Sequence, residues 1–497
     1  MSSLEIQIIE RLALYFRSVW EDKGRRESLV GLVASLFAHL LLLSVCATIV
    51  LRYTHNSSEA ILIETVYEER KDALDGPIEQ VSIISGESGG AEDGTSSQGF
   101  GILKLNEVTP ADPFSAVDQT PAVTPDSMKI QAPVLQVKND FVGRSSAAKG
   151  KALGEQGGNE ASERAVKLGL KWLASHQQPD GSWSFKHGDD APGSLADCTT
   201  GATGLALLAF LGAGHTPRIG RGQSEYRQSV QRGLTFLVSK IKYSNDGGDL
   251  RGKVVANEGM YAHAIATLAL CEAFAMTRDG KLKGPAQRAV DFIVSAQDKT
   301  GGGWRYEPRT RGDTTVTGWQ IMALKSAKAG ELKVPDETVK KAMLFLDGVQ
   351  TAGGAKYLYE PGGNPASTPS ITAIGLLCRM YLGWTPDVAA LEQGVDYLSD
   401  LGPSPDNIYY NYYATQVLHH WGGPPWTSWN AVLRDKLVAT QIQTGDAAGS
   451  WNPTGDHSGS GGKLYQTCLC VMTLEVYYRY MPMYQHGTAK NKGKSKT

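Results

Sequence analysis

Cysteine is scarce in this sequence and never closely paired for metal binding. The six residues, Cys46, Cys198, Cys271, Cys378, Cys468 and Cys470, include no C-x-x-C, which argues against a zinc ribbon and a disulfide scaffold. An excess of positive charge is missing too. The 49 Lys and Arg face 51 Asp and Glu, a net charge of −2, so no basic field exists for nucleic acid. Tryptophan is absent between residues 52 and 160, although nine of the ten lie after residue 160. Asp, Glu, Lys and Arg are all missing from residues 29–51.

That uncharged run is 23 residues long, and about 20 residues in a helix span the hydrocarbon core of a bilayer. It is too long for the apolar core of a signal peptide, and no small-residue cleavage site follows it. The expectation is an uncleaved single-pass transmembrane helix. Lys23, Arg25 and Arg26 precede it and only Arg52 follows, which predicts a cytoplasmic N-terminus and an extracytoplasmic (periplasmic-side) remainder. Within residues 1–28, Leu4, Ile8, Leu12, Tyr15 and Val19 form an apolar stripe suited to the inner membrane surface. Ser35 and His39 share one face of the span, where an ionisable side chain is costly unless it meets protein or water. This N-terminus resembles that of TonB-type energy transducers. The resemblance implies a membrane partner complex engaged through Ser35 and His39.

Residues 52–160 carry 17 acidic and 9 basic residues, a net of −8, with Gly and Ser crowding positions 85–99 and Pro110, Pro113, Pro121, Pro125 and Pro133 beyond them. Such a composition buries too little apolar surface to offset chain entropy, so a flexible linker is expected. As a coil it would reach about 55–60 Å root-mean-square. Residues 486–497 read as a solvated basic tail.

From residue 161 to 485 the sequence repeats. Five segments share a landmark aromatic, Trp172, Phe236, Phe292, Phe345 and Tyr397, at intervals of 64, 56, 53 and 52 residues, and a sixth carries Lys436 in that place. Five residues after the landmark a glutamine recurs, as Gln177, Gln297, Gln350 and Gln441. A glycine turn ending in tryptophan follows at Gly181–Trp183, Gly302–Trp304 and Gly449–Trp451. Each turn precedes a segment that is apolar nearly all round, the signature of a buried helix. One amphipathic and one buried helix, six times over, predict an all-α, closed (α/α)6 toroid. The Gln177-x-x-x-Gly181-x-Trp183 pattern resembles the prenyltransferase and squalene-oxidase repeat, and the region resembles the toroid of terpenoid cyclases and protein prenyltransferases. Gln177, Gly181, Trp183, Gln297, Trp304 and Trp451 are expected to lock the ring.

The resemblance implies isoprenoid chemistry, yet its catalytic motifs are missing. No Asp-x-Asp-Asp acid motif occurs; Asp189-Asp190 is the nearest text. The spacing of Asp197-Cys198, Asp456-His457 and Cys468 departs from the prenyltransferase zinc pattern. No metal and no cofactor are expected, and adjacent His419 and His420 diverge on a helix. A central cavity is expected, lined by Thr200, Tyr261, His263, Arg305, Thr317, Trp319, Tyr409, Asn411, Tyr412 and Tyr465. It would bind an isoprenoid-like lipid, a glycan or a protein. The alternatives are an isoprenoid-transforming enzyme with non-standard residues and a polysaccharide lyase drawing on His263, Tyr412, Asn411 and Arg305.

Overall fold

A computed structural model describes residues 135–137, 141–187, 191–218, 224–253, 258–364 and 368–484, all within the compact unit Gly94–Thr497. The expected amphipathic segment, transmembrane helix with Ser35 and His39, basic tail, most of the linker and the Asp189-Asp190 pair lie outside these residues.

A helix α1 (Ser146–Glu155) precedes six helix pairs. The pairs are α2 (Glu160–Ser175) with α3 (Thr199–Gly212), and α4 (Arg227–Lys240) with α5 (Gly259–Thr277). Next come α6 (Gly280–Ala296) with α7 (Thr314–Ala329), and α8 (Asp336–Val349) with α9 (Pro369–Tyr381). The last are α10 (Ala389–Leu401) with α11 (Ile408–Trp421), and α12 (Gly423–Thr440) with α14 (Gly462–Leu474), the latter after a single turn α13 (Gly455–Ser458). A short helix α15 (Val476–Arg479) ends the described chain. Two small antiparallel hairpins, β1 (Lys242–Ser244) with β2 (Gly247–Asp249) and β3 (Gln350–Thr351) with β4 (Lys356–Tyr357), interrupt the loops.

The second helix of each pair packs against the next in order, and α14 packs back on α3, so the inner ring closes. These helices are buried on every face; α5 is long and apolar enough to cross a membrane, but it is 89% buried as a core element. The first helices bury only a stripe, as α2 does with Ala165, Val166, Gly169, Leu170, Trp172 and Leu173, and they form an outer ring.

The repeat motif holds the rings together. In three units the glutamine amide donates twice: to the glycine carbonyl of its own turn and to a carbonyl of the next outer helix. Gln177 Nε2 bonds Gly181 O at 2.9 Å and Ser229 O at 2.8 Å; Gln297 Nε2 bonds Gly302 O at 2.7 Å and Thr338 O at 2.9 Å. Gln441 Nε2 bonds Gly449 O at 2.9 Å and Ala165 O at 2.8 Å, which ties the last unit to the first. The tryptophan then returns to its own outer helix, Trp183 Nε1 to Leu173 O, Trp304 Nε1 to Ile293 O and Trp451 Nε1 to Leu437 O, at 2.7–2.8 Å. Gln350 departs from this pattern: its Oε1 accepts from Arg379 Nη2 at 3.0 Å, in a unit whose turn has Tyr357 instead of tryptophan.

The folded body begins earlier than composition suggested. Residues 141–155, expected as linker, form a 3-10 turn and α1 against α15. The reason is Arg144, 3% exposed, whose guanidinium donates to Glu272 Oε2 at 2.7 Å and Oε1 at 3.3 Å and to Arg479 O at 3.1 Å. Glu272 also meets Arg479 Nη2 at 3.4 Å, and these two cations hold its carboxyl below the usual range despite burial. Gln136 N donates to Tyr381 O, and Tyr484 Oη to Trp384 O, so both ends of the described body leave beside the C-terminal end of α9.

Gly302 shows how tightly the turns seat. Its φ is +79°, and a Cβ there would lie 2.0 Å from Lys341 O of α8. Gly302→Ala is expected to cost about 3 kcal/mol or more in urea unfolding, combining left-handed strain with a backbone clash. Gly353→Ala, at φ +64° with no atom within 4 Å, should cost only about 1–2 kcal/mol.

Candidate functional site

The N-terminal ends of the inner helices converge at one pole of the ring, and the six turns cover it. Each turn sends one backbone N–H into the adjacent inner helix. Trp183, Trp304, Tyr357 and Trp451 donate to the hydroxyls of Thr203, Thr317, Thr372 and Thr467 at 3.0–3.4 Å. Leu250 N donates to His263 Nδ1 at 3.1 Å, and Ser404 N to Asn411 Oδ1 at 2.9 Å. Three expected cavity residues, His263, Thr317 and Asn411, are therefore members of a sixfold clasp between turn and helix.

This corrects the role foreseen for His263. Its Nδ1 accepts from Leu250, so Nε2 carries the proton and faces Ala289 O at 3.2 Å, while the ring packs 4.6 Å from Phe292. Burial lowers its pKa to about 4. With one nitrogen committed to the turn and the other to the outer helix, it offers no base to a bound ligand.

The centre of the ring is filled rather than hollow. Trp319 of α7 stacks on Tyr412 of α11 at 6.0 Å, across two helices that are not neighbours in the ring. Tyr413 meets Trp319 edge-on at 5.9 Å and Tyr409 at 4.9 Å. Tyr261, Trp319, Tyr409, Tyr412 and Tyr465 are 0–3% exposed, so almost no water-sized space touches them. Thr200 is equally buried, with its hydroxyl close to where a Cβ on Gly252 would lie. Only Arg305 and Asn411 of the expected lining reach surface or cleft, so the expected open central cavity gives way to an aromatic plug.

Above the plug lies Asp313, the N-cap of α7. Its Oδ1 accepts from Thr315 N at 2.9 Å, Val316 N at 2.8 Å and Thr315 Oγ1 at 2.6 Å, while Oδ2 is buried with no hydrogen-bond partner among the described residues. Burial outweighs those bonds and the nearby Arg305, and pushes the carboxyl up to about 6. Tyr261 Oη bonds Thr315 Oγ1 beside it. Asp313 escaped the sequence reading because Asp before a helix is ordinary capping chemistry.

Two turns from adjacent units form the mouth. Arg305-Tyr306-Glu307-Pro308 and Tyr357-Leu358-Tyr359-Glu360-Pro361 bring the hydroxyls of Tyr306 and Tyr359 together. The Arg305 guanidinium lies 5.3 Å from one ring and 5.6 Å from the other, and pairs with Glu360 at 2.5 Å. Arg251 bridges Asp249 at 3.0 Å and Glu307 at 3.2 Å along the same rim. Burial raises both tyrosines, Tyr306 to about 12, so they are hydroxyl donors and acceptors at neutral pH.

The remaining candidates stand apart. His419 and His420 are buried in α11 with ring centroids 5.8 Å apart, and none of their ring nitrogens has a hydrogen-bond partner among the described residues. The five described cysteines are buried and free.

No protein-family model matches the chain, and no curated protein matches it. Among solved structures, it is similar to an α-1,6-mannanase of Salegentibacter sp. HEL1_6, at 10% identity and a TM-score of 0.46, over 64% of this chain and 99% of that one. It is similar to the type II terpene cyclase MstE of Scytonema, at 12% identity and a TM-score of 0.44, over 66% and 100% of the two chains. A family 76 mannosidase of Bacteroides thetaiotaomicron gives 12% identity and a TM-score of 0.42, over 65% and 98%. The toroid assignment stands on the ring's own closure.

Asp313 generates a pH signature. A carboxyl raised in the fold from 3.8 to about 6 binds its proton more tightly folded than unfolded, so its contribution is full below about pH 4 and lost as pH rises through 6. Across that window the native chain should lose about 3 kcal/mol that Asp313→Asn, which keeps the cap, does not lose. Paired urea titrations at pH 4, 5, 6 and 7 measure the difference; parallel curves would refute the raised carboxyl.

Proposed function

We propose that this chain is a membrane-tethered, extracytoplasmic toroid that binds a hydroxyl-rich ligand, a glycan, at the tyrosine-lined mouth of its ring. The observation that carries the proposal is the mouth itself. Tyr306, Tyr359, Arg305 and Glu360 combine aromatic faces with hydrogen-bonding groups, above a centre filled by side chains. An amphipathic rim of that kind matches a sugar, which has an apolar C–H face and a polar edge. A long isoprenoid would need an open apolar cavity, and Trp319, Tyr409, Tyr412 and Tyr413 occupy that volume. The uncharged, strongly apolar run at residues 29–51 and the Lys23, Arg25 and Arg26 bias support the tether and its orientation. In this reading Ser35 and His39 face a membrane partner.

A second reading has one specific observation in its favour. Asp313, a carboxyl with a free buried oxygen beneath aromatic rings, has the chemistry of a proton donor for an alkene. The chain would then transform an isoprenoid with a non-standard acid, and the plug would have to open.

Binding of a panel of envelope oligosaccharides to the full chain tests the first reading. Replacing both Tyr306 and Tyr359 by Ala should weaken the best ligand about tenfold or more. Unchanged affinity in that double variant would remove the mouth as the site. A polyprenyl substrate consumed by the native chain and not by Asp313→Asn would favour the second reading instead.

A further inference from the structure

The internal repeat supplies its own control: the landmark position is a buried aromatic in four units, a half-buried Tyr397 in the fifth and a lysine in the sixth. The landmark aromatics Trp172, Phe236, Phe292 and Phe345 are at most 5% exposed and fill the wedge between their outer helix and the neighbouring unit. In the sixth unit Lys436 stands there, and a cleft of about 250 Å³ opens between units five and six. Its apolar wall is Ile408, Leu437 and Trp451. Its polar wall holds charges of both signs. Lys436 Nζ spends two of its three N–H bonds on Ser404 O at 3.1 Å and Pro405 O at 2.6 Å, leaving one. Asp406 accepts from Ser404 Oγ at 2.9 Å through one oxygen, leaving the other. Asn452 has its carbonyl taken by Lys463 Nζ at 2.9 Å and keeps its amide N–H₂ to offer.

We infer that this cleft is a second ligand site, separate from the mouth, that takes a single sugar ring. The volume lies just below the range that encloses drug-sized ligands, so it suits one ring rather than a chain. Of the cleft's own lining residues Lys436 is the cation and Asp406 the carboxylate, with the ammonium of Lys463 held behind Asn452. An acceptor at Asp406 and donors at Lys436 and Asn452 match the mixed demands of neighbouring hydroxyls, while Ile408 and Leu437 meet the C–H face. The site is fixed by the fold, since Asn411, which also lines it, is the clasp of unit five.

Saturation-transfer NMR on the full chain in detergent tests the site, with mannose, galactose and N-acetylglucosamine as probes and glycine and glutamate as zwitterionic and anionic competitors. Three variants are compared: Lys436→Phe, which restores the repeat's own aromatic and fills the cleft; Asp406→Asn; and Tyr306→Ala at the mouth. The expected result is that one sugar binds in the millimolar range, about tenfold or more weaker in Lys436→Phe and about fivefold weaker in Asp406→Asn, with this component of the signal persisting in Tyr306→Ala, which removes only the mouth's share. Asp406→Asn changes a rim residue and keeps the test open should Lys436→Phe fail to fold. No sugar signal, or a signal from the amino acids instead, overturns the proposal. Sugar binding that survives Lys436→Phe but falls in Tyr306→Ala also overturns it and leaves the mouth reading standing.

Discussion

A glutamine amide that donates to two backbones at once is the interaction on which this fold depends. Gln177, Gln297 and Gln441 each spend both N–H bonds on carbonyls from different segments, one in the turn and one in the next outer helix. A side-chain amide carries two N–H donors at the fixed angle such a bridge requires, without bringing a charge into the joint. The glycine between them is set by the same contact, because its turn lies against the neighbouring helix backbone with no space for a Cβ. Tryptophan completes the joint by filling the wedge and returning its N–H to the outer helix. The inner ring has its own, weaker version in the six clasps, where threonine, histidine and asparagine perform one task with different chemistry.

That substitution of chemistry explains how far the sequence was legible. The ring was readable because its helices repeat with a fixed landmark and because amphipathic and fully apolar segments alternate. The role of His263 was not, since a histidine capturing a turn amide and a histidine serving a ligand look alike until its partners are known. The filled centre was also hidden: tyrosines at inner-helix starts are compatible with a lined cavity or a packed plug, and only the contact between α7 and α11 across the ring decides. Arg144 lies in a stretch whose composition reads as linker, yet one buried pairing with Glu272 draws residues 141–155 into the body. Asp313 was masked by its role as a cap.

The two candidate sites follow from breaks in the symmetry. Directly after their turns, units three and four carry paired tyrosines and an Arg305–Glu360 bridge, and that is where the mouth forms. Unit six replaces an aromatic with Lys436, and that is where a cleft opens. The Gln297 joint stays beside the mouth and the Gln441 joint beside the cleft. The architecture tolerates such exchanges because each joint is local to one pair of neighbours.

The joint between Gln441 and Ala165 has a further consequence for how the chain comes to be folded. A linear solenoid has end units that stay half-exposed and can fold as they emerge. A closed ring has none, so every nascent form that lacks α14 leaves apolar faces of both α3 and α11 uncovered. The contact that ends this exposure joins residues 276 positions apart and is among the last to be synthesised. Long-range closure of this kind is slow, and the waiting species is prone to aggregate. A chain of this design therefore stays exposed to aggregation throughout its synthesis, and its folding is complete only when its last repeat arrives.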